Sequence, residues 1–226
     1  GSIPGAASKS IVLVKEGAGC SRCKRPSSVA HKRLRRAQVP RYSHHAEIIC
    51  EPLGEMDGER TLCPHYLLER AGWPPPADCG VVHGSTPVVS FGHPLSAPVA
   101  TLGINPSSGE FLGVDGSLLS GPDRRLATFD SLGVVSYAQM DDRFASLIVD
   151  DCASYFERRP YRWFTPLDRI LRDALGVSFF ESTACHLDLV QWATDPLWGK
   201  LSDVARARLL ADDRPFLVQQ LRSEHY

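Results

Sequence analysis

No run in the 226-residue chain approaches the roughly 18 apolar residues of a membrane-spanning helix, and no charged-then-apolar segment opens it. The chain therefore reads as neither a helical membrane protein nor one opened by a secretory leader, and the expected setting is soluble and cytoplasmic. An excess of charge is missing as well: 25 basic residues against 26 acidic ones leave a net charge of −1, which does not announce a nucleic-acid binder. The seven cysteines are an odd number and argue against a disulfide framework. A phosphate-cradling glycine loop is also lacking, because Gly103 to Gly109 has the wrong spacing. That counts against an unrelated nucleotide-processing α/β enzyme.

The apolar content, 43%, is enough for one ordinary core and a smaller module. Residues 1–10 read as an expression tag or a disordered end. Residues 11–80 carry five of the seven cysteines, and such clustering points to metal. Ile11 to Val14 is a candidate short strand leading into Cys20-x-x-Cys23, a knuckle that presents two thiolates to one tetrahedral ion. A hairpin through Ala46–Cys50, Met56–Gly58 and Arg60–Cys63 follows, with a helix from about Pro64 carrying Tyr66, Leu67 and Leu68. Knuckle, hairpin and helix together suggest a treble-clef-like zinc module with Cys20, Cys23, Cys50 and Cys63 as ligands. His65 or Cys79 is a substitute ligand, and an iron–sulfur cluster is the alternative cofactor. Between Gly17 and Arg41 lie eight Lys or Arg residues and no acid, so Lys32, Arg33, Arg35 and Arg36 are candidate phosphate contacts on DNA. A solvated arm that binds nothing is the competing reading.

Trp73-Pro74-Pro75-Pro76 marks the join to the second domain, residues 81–226. Val88 to Phe91 reads as an entry strand, and His83 and His93 as loop residues. Val99 to Ile104 is apolar enough for a buried strand and ends in the turn formers Asn105-Pro106-Ser107-Ser108-Gly109. Pro106 biases Asn105 to an extended backbone, which sets its amide at the carboxyl end of that strand, where open α/β sheets bind ligands. Further along, a short helix is expected over 126–132 and an amphipathic one over 141–156, with Cys152 on its buried side. A third helix is punctuated by Thr165 as N-cap, Pro166 at its first position and Gly176 at its end. The strand within 177–190 places His186 and Asp188 on one face. Two helices, 202–210 and 214–221, close the chain.

Gly103-Ile104-Asn105-Pro106 resembles the first motif of the uracil-DNA glycosylase superfamily. The resemblance extends to a bacterial branch of that superfamily from about Pro87 through Glu110-Phe111, Arg124-Arg125-Leu126, Tyr161-Arg162-Trp163-Phe164 and Cys185-His186-Leu187-Asp188-Leu189. It implies an α/β fold, a four-stranded parallel sheet sandwiched by helices. It also implies a monofunctional DNA glycosylase that flips a damaged or modified base into a pocket and hydrolyses its N-glycosidic bond. Asn105 then positions the attacking water, with His186 as a second catalytic candidate. Gly103, Ile104, Pro106, Ser107, Ser108, Phe111 and Asp188 are the base-binding candidates, with Phe111 stacking and the Ser107–Gly109 amides holding the departing base. Arg124 and Arg125 are candidate phosphate contacts. An amide orients water but is no match for a carboxylate as a proton acceptor, so the expected base is already a fair leaving group. Only about two of the four core strands, and no equivalent of the superfamily's last His-containing motif, are found by Tyr226. The protein is therefore expected to be longer than this chain, or a second chain completes the sheet, whose open edge would invite association. The competing function is a non-catalytic, zinc-dependent nucleic-acid-binding module on a degenerate glycosylase-like core.

Overall fold

A computed structural model describes residues 11–15, 64–224 and 226. Among these residues the fold is mixed α/β, with a three-stranded sheet and five α-helices. The cysteine ligands Cys20, Cys23, Cys50 and Cys63, the basic residues Lys32, Arg33, Arg35 and Arg36, and the expected knuckle and hairpin lie outside the described residues. No described helix is long and apolar enough to cross a membrane.

The sheet is ordered β1 (Ile11–Val14), β2 (Val99–Gly103), β3 (Ala184–Asp188). β2 and β3 are parallel, as expected, but β1 runs antiparallel to β2 in the register Ile11 to Leu102, so the sheet is mixed. The strand expected to lead into the cysteine module thus belongs to the α/β unit. The same is true of α1 (His65–Gly72), whose buried face, Leu67 and Ala71, joins the main core. A boundary near residue 80 is therefore displaced: Cys79, the reserve metal ligand, is a buried thiol packed with Val190, Trp192 and Leu209.

One ion pair fixes α1. Arg70, 1% exposed, donates from Nη2 to Asp213 Oδ1 at 2.7 Å and from Nε to Gln191 Oε1 at 2.6 Å, while Asp213 Oδ2 accepts the Gln191 N–H at 2.5 Å. The guanidinium also lies 5.0 Å from the Trp192 ring and 4.9 Å from that of Phe216. Asp213 sits on α5 (Asp203–Ser223), one continuous helix where two were expected. Pro215 removes an amide donor, yet the helix runs through it because Leu209, Asp213, Leu217 and Gln220 form one buried stripe.

The other helices are α2 (Phe129–Leu132), α3 (Asp142–Ala153) and α4 (Phe164–Leu175). α2 starts on a reciprocal Thr128–Ser131 capping box, and α3 on Asp141, whose carboxylate accepts the Phe144 N–H at 3.0 Å. α3 buries Cys152, and desolvation pushes that thiol up to about 12, as suits a core residue. α4 ends, as its glycine suggested, at Gly176 with φ +68°. Its start differs: the turn at Tyr161–Trp163 feeds straight into helical hydrogen bonds, Phe164 N–H to Tyr161 O at 3.1 Å and Thr165 N–H to Arg162 O at 3.3 Å. Thr165 is therefore inside the helix and caps nothing.

Residues 88–91 form no regular strand, but they occupy the outer side of β3. Phe91 exchanges both backbone hydrogen bonds with His186 at 2.8 and 2.9 Å, Val88 N–H donates to Gln191 O at 2.7 Å, and Ala184 N–H donates to Ser178 O at 3.0 Å. The open edge expected beside β3 is thus covered in part, at Ala184 and His186, by the protein's own chain.

Candidate functional site

β2 and β3 place two cross-strand pairs on one face, Thr101 opposite His186 and Gly103 opposite Asp188. The His186 and Asp188 side chains lean over Gly103 because that residue has none. A Cβ there would stand 2.8 Å from His186 Nε2 and would collide with Asp188 Oδ1. His186 Nδ1 lies 2.6 Å from Thr101 Oγ1 and Nε2 lies 3.4 Å from Asp188 Oδ1. Thr101 Oγ1 also donates to Cys185 O at 3.4 Å, so the direction of the Thr101–His186 hydrogen bond follows the histidine tautomer. All three side chains are nearly sealed, His186 3% and Asp188 4% exposed.

Asn105 follows where β2 ends. Its Nδ2 donates to Pro106 O at 3.0 Å, Trp192 O at 3.2 Å and Thr194 Oγ1 at 3.3 Å. Backbone carbonyls only accept, so the amide must turn its NH2 group to them and is held one way round. Oδ1 keeps no hydrogen-bond partner among the described residues. The anchoring segment is itself fixed, since Val190 N–H donates to Ile104 O at 2.8 Å and Thr194 bridges Ser107.

The turn then tightens into a 3-10 segment, Ser108–Glu110, where Ser107 Oγ accepts the Gly109 N–H at 3.2 Å. This geometry turns Glu110 inward. Tyr155 Oη accepts the Tyr161 N–H at 2.8 Å, which commits the phenol's own proton to Glu110 Oε2 at 2.7 Å. Burial lifts the Glu110 carboxyl from its ordinary 4.5 to about 7; the Tyr155 hydrogen bond and the Arg125 charge pull it back, and Asp188 adds to the lift. The same burial raises the Tyr155 phenol, which stays protonated and a donor.

These groups surround a cavity of about 570 Å3, within the usual range of small-molecule sites, about 300–1,000 Å3. Among the sequence candidates, Gly103, Ile104, Asn105, Pro106, Ser107, His186 and Asp188 line it. Two do not: Ser108 opens the 3-10 turn, and Phe111 is fully buried in the main core, so the ring expected to stack on a base packs inside the protein. The Gly109 amide, expected to hold a departing base, already donates to Ser107. Aromatic walls come instead from Phe91, Tyr161, Trp163, Phe164 and Trp198, scattered over more than a hundred residues of chain. Glu110 is the functional candidate that motif reading missed, although it stands five residues after Asn105.

Arg124 pairs with Asp151, which Arg158 also reaches at 2.5 Å. Arg125 donates from Nη1 to Gly109 O and from Nε to Arg159 O at 3.2 Å, and lies 5.2 Å from the Tyr161 ring, so it braces the cavity wall. Beside it a cleft of about 320 Å3, lined in part by Arg125, Arg159 and Arg162, borders Tyr161. No group of three metal-ligating side chains occurs among the described residues. Comparison with protein-family models, curated proteins and solved structures finds no match to the chain.

Proposed function

We propose that the protein is a DNA glycosylase that hydrolyses the N-glycosidic bond of a damaged or modified base held in the cavity. The observation that carries this reading is the fixed amide of Asn105 at the tip of β2, with Oδ1 left to accept, in a cavity walled by five aromatic rings. A base inside a duplex is out of reach, and flipping delivers it to a site that stacks its faces and binds its edge. Cleavage of the C1′–N bond puts positive character on the sugar and negative charge on the base, so the site needs an oriented water and polar groups at the base edge. Asn105 Oδ1 orients the water. His186 Nε2 and the carboxyl groups of Asp188 and Glu110 meet the base. The fold assignment rests on the sequence resemblance together with the parallel β2–β3 pair and the position of Asn105 beyond it.

For the amino-terminal third the proposal is a zinc ion on Cys20, Cys23, Cys50 and Cys63, next to a basic segment that contacts phosphate. Zinc there cross-links the chain and takes no part in the hydrolysis.

The test is incubation with single- and double-stranded oligonucleotides carrying uracil, hypoxanthine or hypermodified bases, scored by cleavage at abasic sites. Wild type generates abasic sites on at least one base, and Asn105→Ala lowers the rate by about 100-fold or more. Binding without cleavage across the panel favours the non-catalytic module. Full activity in Asn105→Ala removes the site from consideration.

A further inference from the structure

Catalysis by an amide and a histidine alone suits a base that leaves readily as an anion, but the cavity holds a group that changes this. Glu110 is 3% exposed and is one of the residues that line the cavity. Its Oε2 is occupied by the Tyr155 hydroxyl, whose direction is fixed by the Tyr161 N–H. Its Oε1 has no hydrogen bond among the described residues, and it is not one of the sealed, unpartnered polar atoms, which are Arg70 Nη1, Trp192 Nε1 and Asp212 Oδ2. Any proton on this carboxyl therefore sits on Oε1, because Oε2 already receives one.

From this geometry we infer that Glu110 is a catalytic residue that delivers a proton from Oε1 to a ring nitrogen of the departing base, so that the substrate is a purine or a cytosine-type base. It rests on the glycosylase reading and names the class of base. Purines and cytosine carry a pyridine-like ring nitrogen with a lone pair, whereas the ring nitrogens of uracil and thymine have none to accept with. The step balances simply. The C1′–N bond breaks with its electron pair going to the base, while the Oε1–H proton passes to the base ring nitrogen. Water oxygen bonds to C1′, and the proton it releases returns to the Glu110 carboxylate through cavity solvent. A carboxyl held near neutrality keeps enough of its acid form to do this at pH 7, and Asp188 nearby supports it.

The test uses the full chain and oligonucleotides carrying hypoxanthine, N6-methyladenine or 5-hydroxymethylcytosine, against others carrying uracil or 5-hydroxymethyluracil. Release is measured in single turnover from pH 5 to 9. The proposal expects release of the first group, with a rate that falls above about pH 7, and a loss of about 100- to 10,000-fold in Glu110→Gln at pH 6. Tyr155→Phe removes the hydrogen bond that stabilises the carboxylate, so the descending limb moves to higher pH, a displacement that a merely structural role would not produce. Should Glu110→Gln fail to fold, that displacement decides. A rate that is flat or rises with pH, Glu110→Gln within threefold of wild type, or an unmoved limb in Tyr155→Phe overturns proton delivery and leaves the glycosylase standing. Preference for the uracil group overturns the substrate class, and absence of abasic sites on every base overturns both proposals.

Discussion

Keeping a carboxyl group in a nearly dry wall has a thermodynamic signature that is measurable without any substrate. In the unfolded chain Glu110 ionises near its ordinary 4.5, whereas in the fold burial delays this to about 7. Between those values the native state binds the extra proton. The stabilisation associated with that proton is therefore complete below about pH 4.5 and is lost as pH rises through 7. At about 1.4 kcal/mol per pH unit, the lift corresponds to roughly 3 kcal/mol between pH 4.5 and pH 8. Glu110→Gln keeps the shape and still accepts the Tyr155 hydroxyl, but it cannot ionise. It should match wild type near pH 5 and exceed it by about 3 kcal/mol at pH 8, or roughly 6–12 °C in melting temperature for a chain of this size. Urea titrations of both proteins at pH 5, 6.5 and 8 give the comparison directly. Parallel pH dependence of the two would refute the reasoning, because it would mean that Glu110 ionises in the fold as easily as in water. A gain in stability from removing the group would also fit an active-site residue retained at a cost to the fold.

Three further outcomes are expected. Asp213→Ala strands the Arg70 guanidinium in the core and should destabilise by about 3–5 kcal/mol in urea titration, whereas Arg70→Met with Asp213→Leu should recover only part of that loss, because Gln191 loses both buried partners. Gly103→Ala should cost about 1–3 kcal/mol by crowding His186 and Asp188, although a strand alanine is ordinarily favourable, and should shift the His186 ring resonances in NMR spectra. Elemental analysis of the purified full chain should find about one zinc per molecule, and Cys20→Ser together with Cys23→Ser should abolish it; iron with sulfide instead would replace the zinc assignment by a cluster.

What the sequence made legible was local. An apolar run stopped by Asn105-Pro106 can do little but end a buried strand, and alternation alone puts His186 and Asp188 on one face. Glu110 and Phe111 were harder to separate, since either could face a cavity. The 3-10 turn decides it, and that turn depends on Ser107 accepting the Gly109 amide, a contact with no periodic signature. The aromatic walls were illegible for another reason: Phe91, Trp163 and Trp198 come from three segments that meet only after the helices dock. The gap expected at residues 211–213 is helical because Asp213 is drawn into the core by Arg70 and continues the buried stripe of α5. β1 was misassigned because its pairing with β2 spans some eighty residues of chain that no short window connects.

The backbone exchange between Phe91 and His186 also bears on how the protein behaves in a crowded solution. An incoming strand from another molecule would have to pry residues 88–91 away, breaking hydrogen bonds and pulling an aromatic ring out of the core, before it could pair with His186. Fibril growth or swapping seeded on that flank therefore waits on a costly local opening. The catalytic histidine candidate sits on a flank that resists recruitment into foreign sheets.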